Sequence, residues 1–272
     1  MTHELSLWQL SLAAILLVVN VAISAALRLG LERRLIWAAA RAVAQLSLIG
    51  LVLNQVFAVR SPVWVLAVMS AMTLAAASAC IARAEHRYRG MWLHALVSVS
   101  VSAWLVNTIA ILWIVEATPW YEPRYAIPLL GMILGNALNG IAIGVERFTT
   151  QLRQRSDEVE ARLAAGATRW EAAIPMLREA SRAGMIPIIN TLSVTGIVSL
   201  PGMMTGQLLA GADPGQAVRY QLMILFLIAA ASALGTILSV VLVWSRLFNA
   251  RHIFLRQQLR STPTQPTMKR RS

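Results

Sequence analysis

Long apolar runs of about twenty residues, nearly free of charge, recur along the chain, the length at which a helix crosses a bilayer. Seven are read, at approximately Leu5 to Leu27, Leu35 to Phe57, Pro62 to Ala82, Met91 to Val115, Ile127 to Val145, Met185 to Ala210 and Tyr220 to Trp244. Backbone groups in hydrocarbon must bond within their own segment, so such runs fold as helices. The expectation is an all-α polytopic membrane protein with about seven transmembrane helices. The 272 residues are 57% hydrophobic and only 13% charged. A soluble domain carries about 25% charged residues, so an ordinary cytosolic enzyme is excluded. Met1 to Ser6 holds Glu4 but no Lys or Arg, and the run that follows is longer than a signal-peptide core. It reads as a retained helix.

The net charge of +12 is placed with order. Arg28, Arg33 and Arg34 follow the first run; Arg83, Arg87 and Arg89 follow the third. Seven arginines lie between the fifth and sixth, and seven basic residues follow Trp244. The other connections hold only Arg60, Arg124 and Arg219. Basic residues collect on the cytoplasmic side, so the N-terminus is expected outside and the C-terminus in the cytoplasm. Trp8, Trp37, Trp64, Trp92, Trp113, Trp120 and Trp244 sit near the borders, where indole anchors in the headgroup layer. A single transmembrane domain is expected over residues 1–260, and a disordered basic tail over 261–272.

Several chemistries are excluded. Cys80 is the only cysteine, which forbids an internal disulfide or a CxxC zinc site. All but one of the 24 basic residues are arginine, the exception being Lys269 in the tail. The chain therefore has no GxxxxGK[ST] phosphate loop and no lysine in a span to form a Schiff base. No predicted span contains Asp or Glu, which disfavours proton- or sodium-coupled carriage. His94 is the only histidine in a span, near its border.

The connection from about Glu146 to Gly184 has its own pattern. Phe148, Leu152, Val159 and Leu163 keep one helical face apolar. Gly166 stops that helix. Thr168 and Glu171 then form a T-x-x-E capping box ahead of Trp170, Ile174 and Leu177, with Pro175 expected to bend the second helix. Two short amphipathic helices suit docking to a cytosolic partner; the alternative is a pair lying in the lipid interface. Seven basic and six acidic residues nearly cancel, which suits docking and not nucleic acid.

Two spans are unusually polar. The fifth holds Gly131, Gly135, Gly140 and Gly144, two GxxxG pairs that 100° per residue puts on opposite faces, with Asn136 and Asn139 between them. The sixth runs through Pro187, Asn190 and Thr195 to Pro201, Gly202, Met203, Met204 and Gln207. A Pro-Gly pair breaks a membrane helix, and freed backbone at that depth must face protein or a wet cavity. This span is the first candidate for lining a pathway. Arg41 and Gln45, one turn apart in the second span, are further candidates, unless Arg41 snorkels to the interface. Met203 and Met204 either pack or offer soft sulfur donors.

The runs Pro128 to Asn136 (PLLGMILGN) and Gly196 to Gln207 (GIVSLPGMMTGQ), continued to Pro214, resemble the iron-export ABC permease family, to which the plant aluminium-sensitivity membrane proteins are related. Ala217 to Gln221, and Arg41 with Gln45, fit the same pattern, and the resemblance runs from about Leu12 to Arg256. It implies the membrane subunit of an ATP-driven transporter in a bacterial inner membrane, exporting iron or a related metal. Two permeases would pair with two copies of a separate ATPase. No cofactor is then held by this chain, ATP being used by the partner. Glu160 and Ala161 with Gly166 are similar to the E-A-A-x-x-x-G element of ABC importer permeases, although Arg162 departs from it and the Ile-x-Leu-Pro ending is missing. Coupling to the ATPase would fall on Glu160, Ala161, Gly166, Thr168 and Trp170. The metal ligands stay unassigned. A permease for another solute or metal conjugate, or a non-transporting membrane scaffold, stands as the alternative.

Overall fold

A computed structural model describes residues 6–58, 61–82, 86–249 and 251–261. The expected disordered tail beyond Ser261, with Lys269, lies outside the described residues, as do Arg60 and Arg83. The chain forms two compact units.

The first unit, residues 1–60 with 209–211, holds helices α1 (Leu7–Ala26) and α2 (Glu32–Ala58). Ser6 starts α1 with a capping box: its hydroxyl accepts from the Gln9 amide at 3.3 Å, while the Ser6 amide donates to Gln9 Oε1 at 2.8 Å. Those two bonds satisfy donors that every helix start leaves over. The turn into α2 is pinned by Ser24, whose hydroxyl donates to Glu32 Oε1 at 2.8 Å and accepts from the Leu31 amide at 3.2 Å.

The second unit begins with α3 (Pro62–Ala82), followed by a two-residue strand β1 (His86–Arg87) and α4 (Met91–Ile109). α4 widens into a π-helical turn over Ala110–Ile114. Then come α5 (Pro123–Gln154), α6 (Ser156–Ala164), α7 (Arg169–Val194), α8 (Gly202–Leu209) and α9 (Pro214–Leu247). A 3-10 turn at Arg256–Gln258 leads to β2 (Arg260–Ser261), which pairs antiparallel with β1. The fold is all-helical but for that pair. Among the described residues, six helices are long and apolar enough to cross a membrane: α1, α2, α3, α4 with its π turn, α5 and α9. The seventh expected span is present as two pieces, the last third of α7 and the short α8, separated at Thr195–Pro201. The Pro-Gly pair sits at that break, where proline removes a donor and favours helix starts over helix interiors.

α5 and α9 form the centre of this unit, with α4 and α7 packed on them; Leu130, Ile133, Ile141, Phe148, Leu152, Met176 and Val240 are fully enclosed. Small residues set the closest approach. A Cβ on Gly184 would lie 2.5 Å from the Gly140 carbonyl oxygen, and one on Gly144 would lie 3.5 Å from that of Ala180. The pairings 140 with 184 and 144 with 180 make α5 and α7 antiparallel. Thr236 of α9 wedges into the same contact from the third side. Without a hydrophobic drive between helices in lipid, such backbone proximity supplies the packing energy. Gly131 instead faces Met72 of α3, so the two GxxxG pairs do serve different faces.

Two helix extents differ from the hydropathy reading. α5 runs past Val145 to Gln154, and α7 reaches from Arg169 through Pro175 and Pro187 to Val194. Hydropathy falls where lipid ends, but the i to i−4 bonding does not stop there. Of the expected apolar face, Phe148, Leu152 and Val159 are buried and Leu163 is half-buried, and the face is divided between two helices. Arg155, at φ −109° and ψ 26°, leaves helical geometry and starts α6.

Candidate coupling elbow and broken span

α6 and α7 meet in a tight elbow. Ala165 caps α6, and Gly166 follows at φ +93°, a conformation that costs a side chain about 1–2 kcal/mol and glycine nothing. Nothing lies within 4 Å of where its Cβ would be, so backbone conformation alone selects glycine here. Thr168 then caps α7. Its hydroxyl accepts from the Glu171 amide at 3.2 Å, and the Glu171 carboxylate accepts from the Thr168 amide and hydroxyl, each at 2.8 Å. The Thr168 amide and hydroxyl hold the Glu171 carboxyl below the usual carboxylate range. Glu160, Ala161, Gly166, Thr168 and Trp170 all lie exposed on this elbow, above the buried Val159.

Ion pairs brace the elbow. Arg155 grips Glu158 with two bonds of 2.7 and 2.9 Å, and Arg162 adds a third at 2.8 Å. These bonds, Arg155 foremost, lower the Glu158 carboxyl. Arg147 of α5 bonds Glu179 of α7, and that pairing, with help from Gln151, lowers the Glu179 carboxyl too. All stand at the surface, where solvent screens them, and their value is in fixing geometry.

A second clasp comes from the end of α9 and the chain after it, and local sequence reading missed it. Trp244 donates its indole N–H to the Arg169 carbonyl at 3.1 Å, meets the Trp170 ring edge-on at 5.1 Å, and lies 4.9 Å beneath the Arg169 guanidinium. The Arg169 amide donates to His252 Nδ1 at 2.9 Å, which places the ring proton on Nε2. Phe248 stacks on Phe254, and the Asn249 side-chain Oδ1 accepts from the amides of Arg251 and Ile253, closing the hook that carries His252. Arg256 reaches Asp157 at 3.2 Å. Trp244 therefore does more than anchor in a headgroup layer: it fixes the first turn of α7. No local motif announces a contact between residues seventy-odd positions apart.

At its other end α7 stops at Val194. Thr195 turns extended, Gly196 takes φ +91°, and the Gly196 amide donates to the Ser199 carbonyl at 2.9 Å. Thr191, Ser193 and Thr195 each donate a hydroxyl to the carbonyl four residues back. Such back-bonding satisfies the hydroxyls and loosens the helix. Pro201 precedes α8, whose Gly202, Met203, Met204 and Gln207 are half-buried or exposed; the Gln207 Oε1 is enclosed without a hydrogen-bond partner. Asn136 and Asn139 on α5 turn their amide N–H groups to the Met132 and Gly135 carbonyls at 2.9 and 3.1 Å. The α5–α7 register sets these asparagines within about two turns of Asn190, which is also exposed. Arg41 and Gln45 belong to the first unit, exposed one turn apart on α2. Among the described residues, no group of three or more His, Cys, Asp or Glu side chains could hold a metal ion. Any cation here would meet amides, hydroxyls, carbonyls and thioethers.

Fold and patterning define a polytopic helical membrane protein. The chain belongs to the Uncharacterised protein family UPF0014, which it matches over residues 7–248. It is 30% identical to the probable iron export permease protein FetB of Escherichia coli, over 95% of this chain and 98% of that one. It is 38% identical to the UPF0014 membrane protein slr1647 of Synechocystis, over 81% and 85% of the two chains. The Arabidopsis thaliana protein ALUMINUM SENSITIVE 3 is 29% identical over 87% of this chain and 85% of its own. The resemblance carried by the Pro-Gly-Met-Met-Thr-Gly run thus holds over the whole fold. No solved structure matches the chain.

Proposed function

We propose that this membrane permease is the membrane-spanning subunit of an ATP-driven ABC exporter, moving iron or a related metal out of the cytoplasm. The supporting observation is the continuity of α7. One helix of 26 residues, about 39 Å at 1.5 Å per residue, joins the exposed elbow at Gly166 to the break at Thr195–Pro201. A partner that displaces the elbow moves a continuous helix whose far end carries the irregular, polar backbone. Shear or rotation of packed helices is how such transitions are transmitted.

A separate ABC ATPase docks on Glu160, Ala161, Gly166, Thr168 and Trp170. The chain lacks a phosphate loop of its own, which fits that division of labour. The basic connections face the cytoplasm together with the C-terminus. Two permeases pair in the membrane, which gives the exposed asparagine face of α5 and the open side of Gly135 something to pack against. The pathway draws on Asn136, Asn139, Asn190 and the stretch from Pro201 to Gln207. The name of the Escherichia coli relative supports iron; the absence of a ligand cluster among the described residues favours a metal complex or another small solute as the second reading.

Co-purification with a separate ABC ATPase tests the docking surface. Gly166→Pro and Glu160→Lys are expected to abolish ATPase capture while leaving membrane insertion intact. Full capture by both variants would overturn the assignment.

A further inference from the structure

A second charged site lies away from the elbow surface and the broken span. A cavity of about 530 Å³ opens where the connection after α3 enters α4 and where α9 ends, lined by Arg87, Tyr88, Arg89, Arg246, Gln257 and Gln258. Arg87 and Arg89 come from the connection, Arg246 from the last turn of α9, and the glutamines from the 3-10 turn. Two separate segments thus bring three arginines to one space, a third adds two glutamines, and no lining residue is Asp or Glu. The arrangement is held by backbone. Arg87 pairs with Arg260 in the β1–β2 ladder, and Arg246 Nε donates to the Arg89 carbonyl at 3.4 Å. Beneath them Tyr88 is buried, its hydroxyl 3.1 Å from His94 Nδ1. Burial pushes the Tyr88 phenol well above its ordinary range, so it stays a neutral hydroxyl.

Like charges brought together this way repel one another unless an anion sits among them. The depth of the cavity says which anion. Arg89 stands two residues before the first residue of α4, and Arg246 one residue before the last of α9; both helices are long and apolar enough to cross a membrane. Trp92, just inside α4, is exposed, as is Leu93 beside it. Indole at that position marks the headgroup level, and the apolar surface next to it suits acyl chains.

We propose that this pocket binds the phosphate headgroup of an anionic membrane lipid, with Arg87, Arg89 and Arg246 as its ligands. Guanidinium forks match phosphate oxygens two at a time, and basic pockets between spans at the membrane surface take such headgroups. Bound lipid then bridges the α3–α4 connection to the end of α9, the helix that carries Trp244.

The test uses the full-length protein in detergent, with native mass spectrometry and thermal unfolding as readouts. Phosphatidylglycerol is expected to stay bound and raise the unfolding temperature, while phosphatidylcholine and inorganic phosphate at the same concentration do not. Each single Arg→Gln change should weaken phosphatidylglycerol binding about five-fold, and the triple R87Q/R89Q/R246Q on the order of a hundred-fold. R33Q/R34Q/R124Q removes the same charge elsewhere and should leave binding unchanged. Wild-type retention of phosphatidylglycerol by the pocket triple would overturn the proposal. Equal stabilisation by inorganic phosphate would make this a free-anion site instead. Unchanged lipid binding with lost capture of the ATPase would reassign the arginines to protein docking.

Discussion

The contact that positions α7 can be tested through one methyl group. A Cβ on Gly144 would lie 2.8 Å from Thr236 Cγ2, while its next neighbours, the Ala180 carbonyl and Val240 Cγ2, stand at an ordinary 3.5 Å. Gly144→Ala therefore meets one serious obstacle, the threonine methyl. Overpacking of this kind costs about 1–3 kcal/mol, and the better helix propensity of alanine returns about 0.5–1. A net loss of about 1–2 kcal/mol is expected. Thr236→Ser removes the methyl and by itself should cost no more than about 1 kcal/mol of packing. The double variant should then be more stable than Gly144→Ala, with a coupling of at least about 1 kcal/mol between the sites. Gly184→Ala is the control. Its Cβ would lie 2.5 Å from the Gly140 carbonyl oxygen as well as 2.5 Å from Thr236 Cγ2, and a backbone oxygen cannot be trimmed. Thr236→Ser should leave it destabilised. Midpoints of SDS-induced or thermal unfolding in detergent measure all five variants. Strict additivity between Gly144→Ala and Thr236→Ser would refute the idea that this three-helix contact sets the register of α7.

Trp244→Ala should release the first turn of α7, removing a ring contact, a cation–π contact and a hydrogen bond together worth about 2–3 kcal/mol locally; amide exchange at Arg169 to Ala172 should speed up, whereas Trp244→Phe keeps part of the protection. Pro201→Ala should extend helix into the break and slow transport by tenfold or more with normal insertion; wild-type rates would make the break merely structural. The capping box makes the start of α7 sensitive to acid. The Glu171 carboxyl titrates below its ordinary 4.5 in the folded chain, so its contribution is complete above about 4.5 and disappears as pH falls through the lowered value. Protection of the Thr168 amide should fall in that window, and Glu171→Gln should abolish the pH dependence.

What could be read from sequence was local chemistry. The glycine stop at 166 and the Thr168–Glu171 box involve neighbours within one turn, and both stand as read. The break ahead of Gly202 coincides with the Pro-Gly pair, which disfavours a helix interior. The opposite faces of the two GxxxG pairs follow from helical pitch alone. Helix ends were less legible, because the charges from Glu146 onward end an apolar run without ending a helix. Arg155, where one apolar face is shared between α5 and α6, carries no residue signature of a break. The clasp by Trp244 and His252 depends on how distant segments pack, and so does the meeting of Arg87, Arg89 and Arg246. Asn136, Asn139 and Asn190 were recognisable as costly in lipid, while their common depth needed the α5–α7 register.

Metal flux measured in sealed vesicles containing the permease and its ATPase bears most directly on export driven through the elbow. The expected result is ATP-dependent movement of iron or a related metal that Gly166→Pro abolishes while the protein stays folded and inserted. Metal movement that is unchanged by omitting ATP, or unaffected by Gly166→Pro, would contradict it.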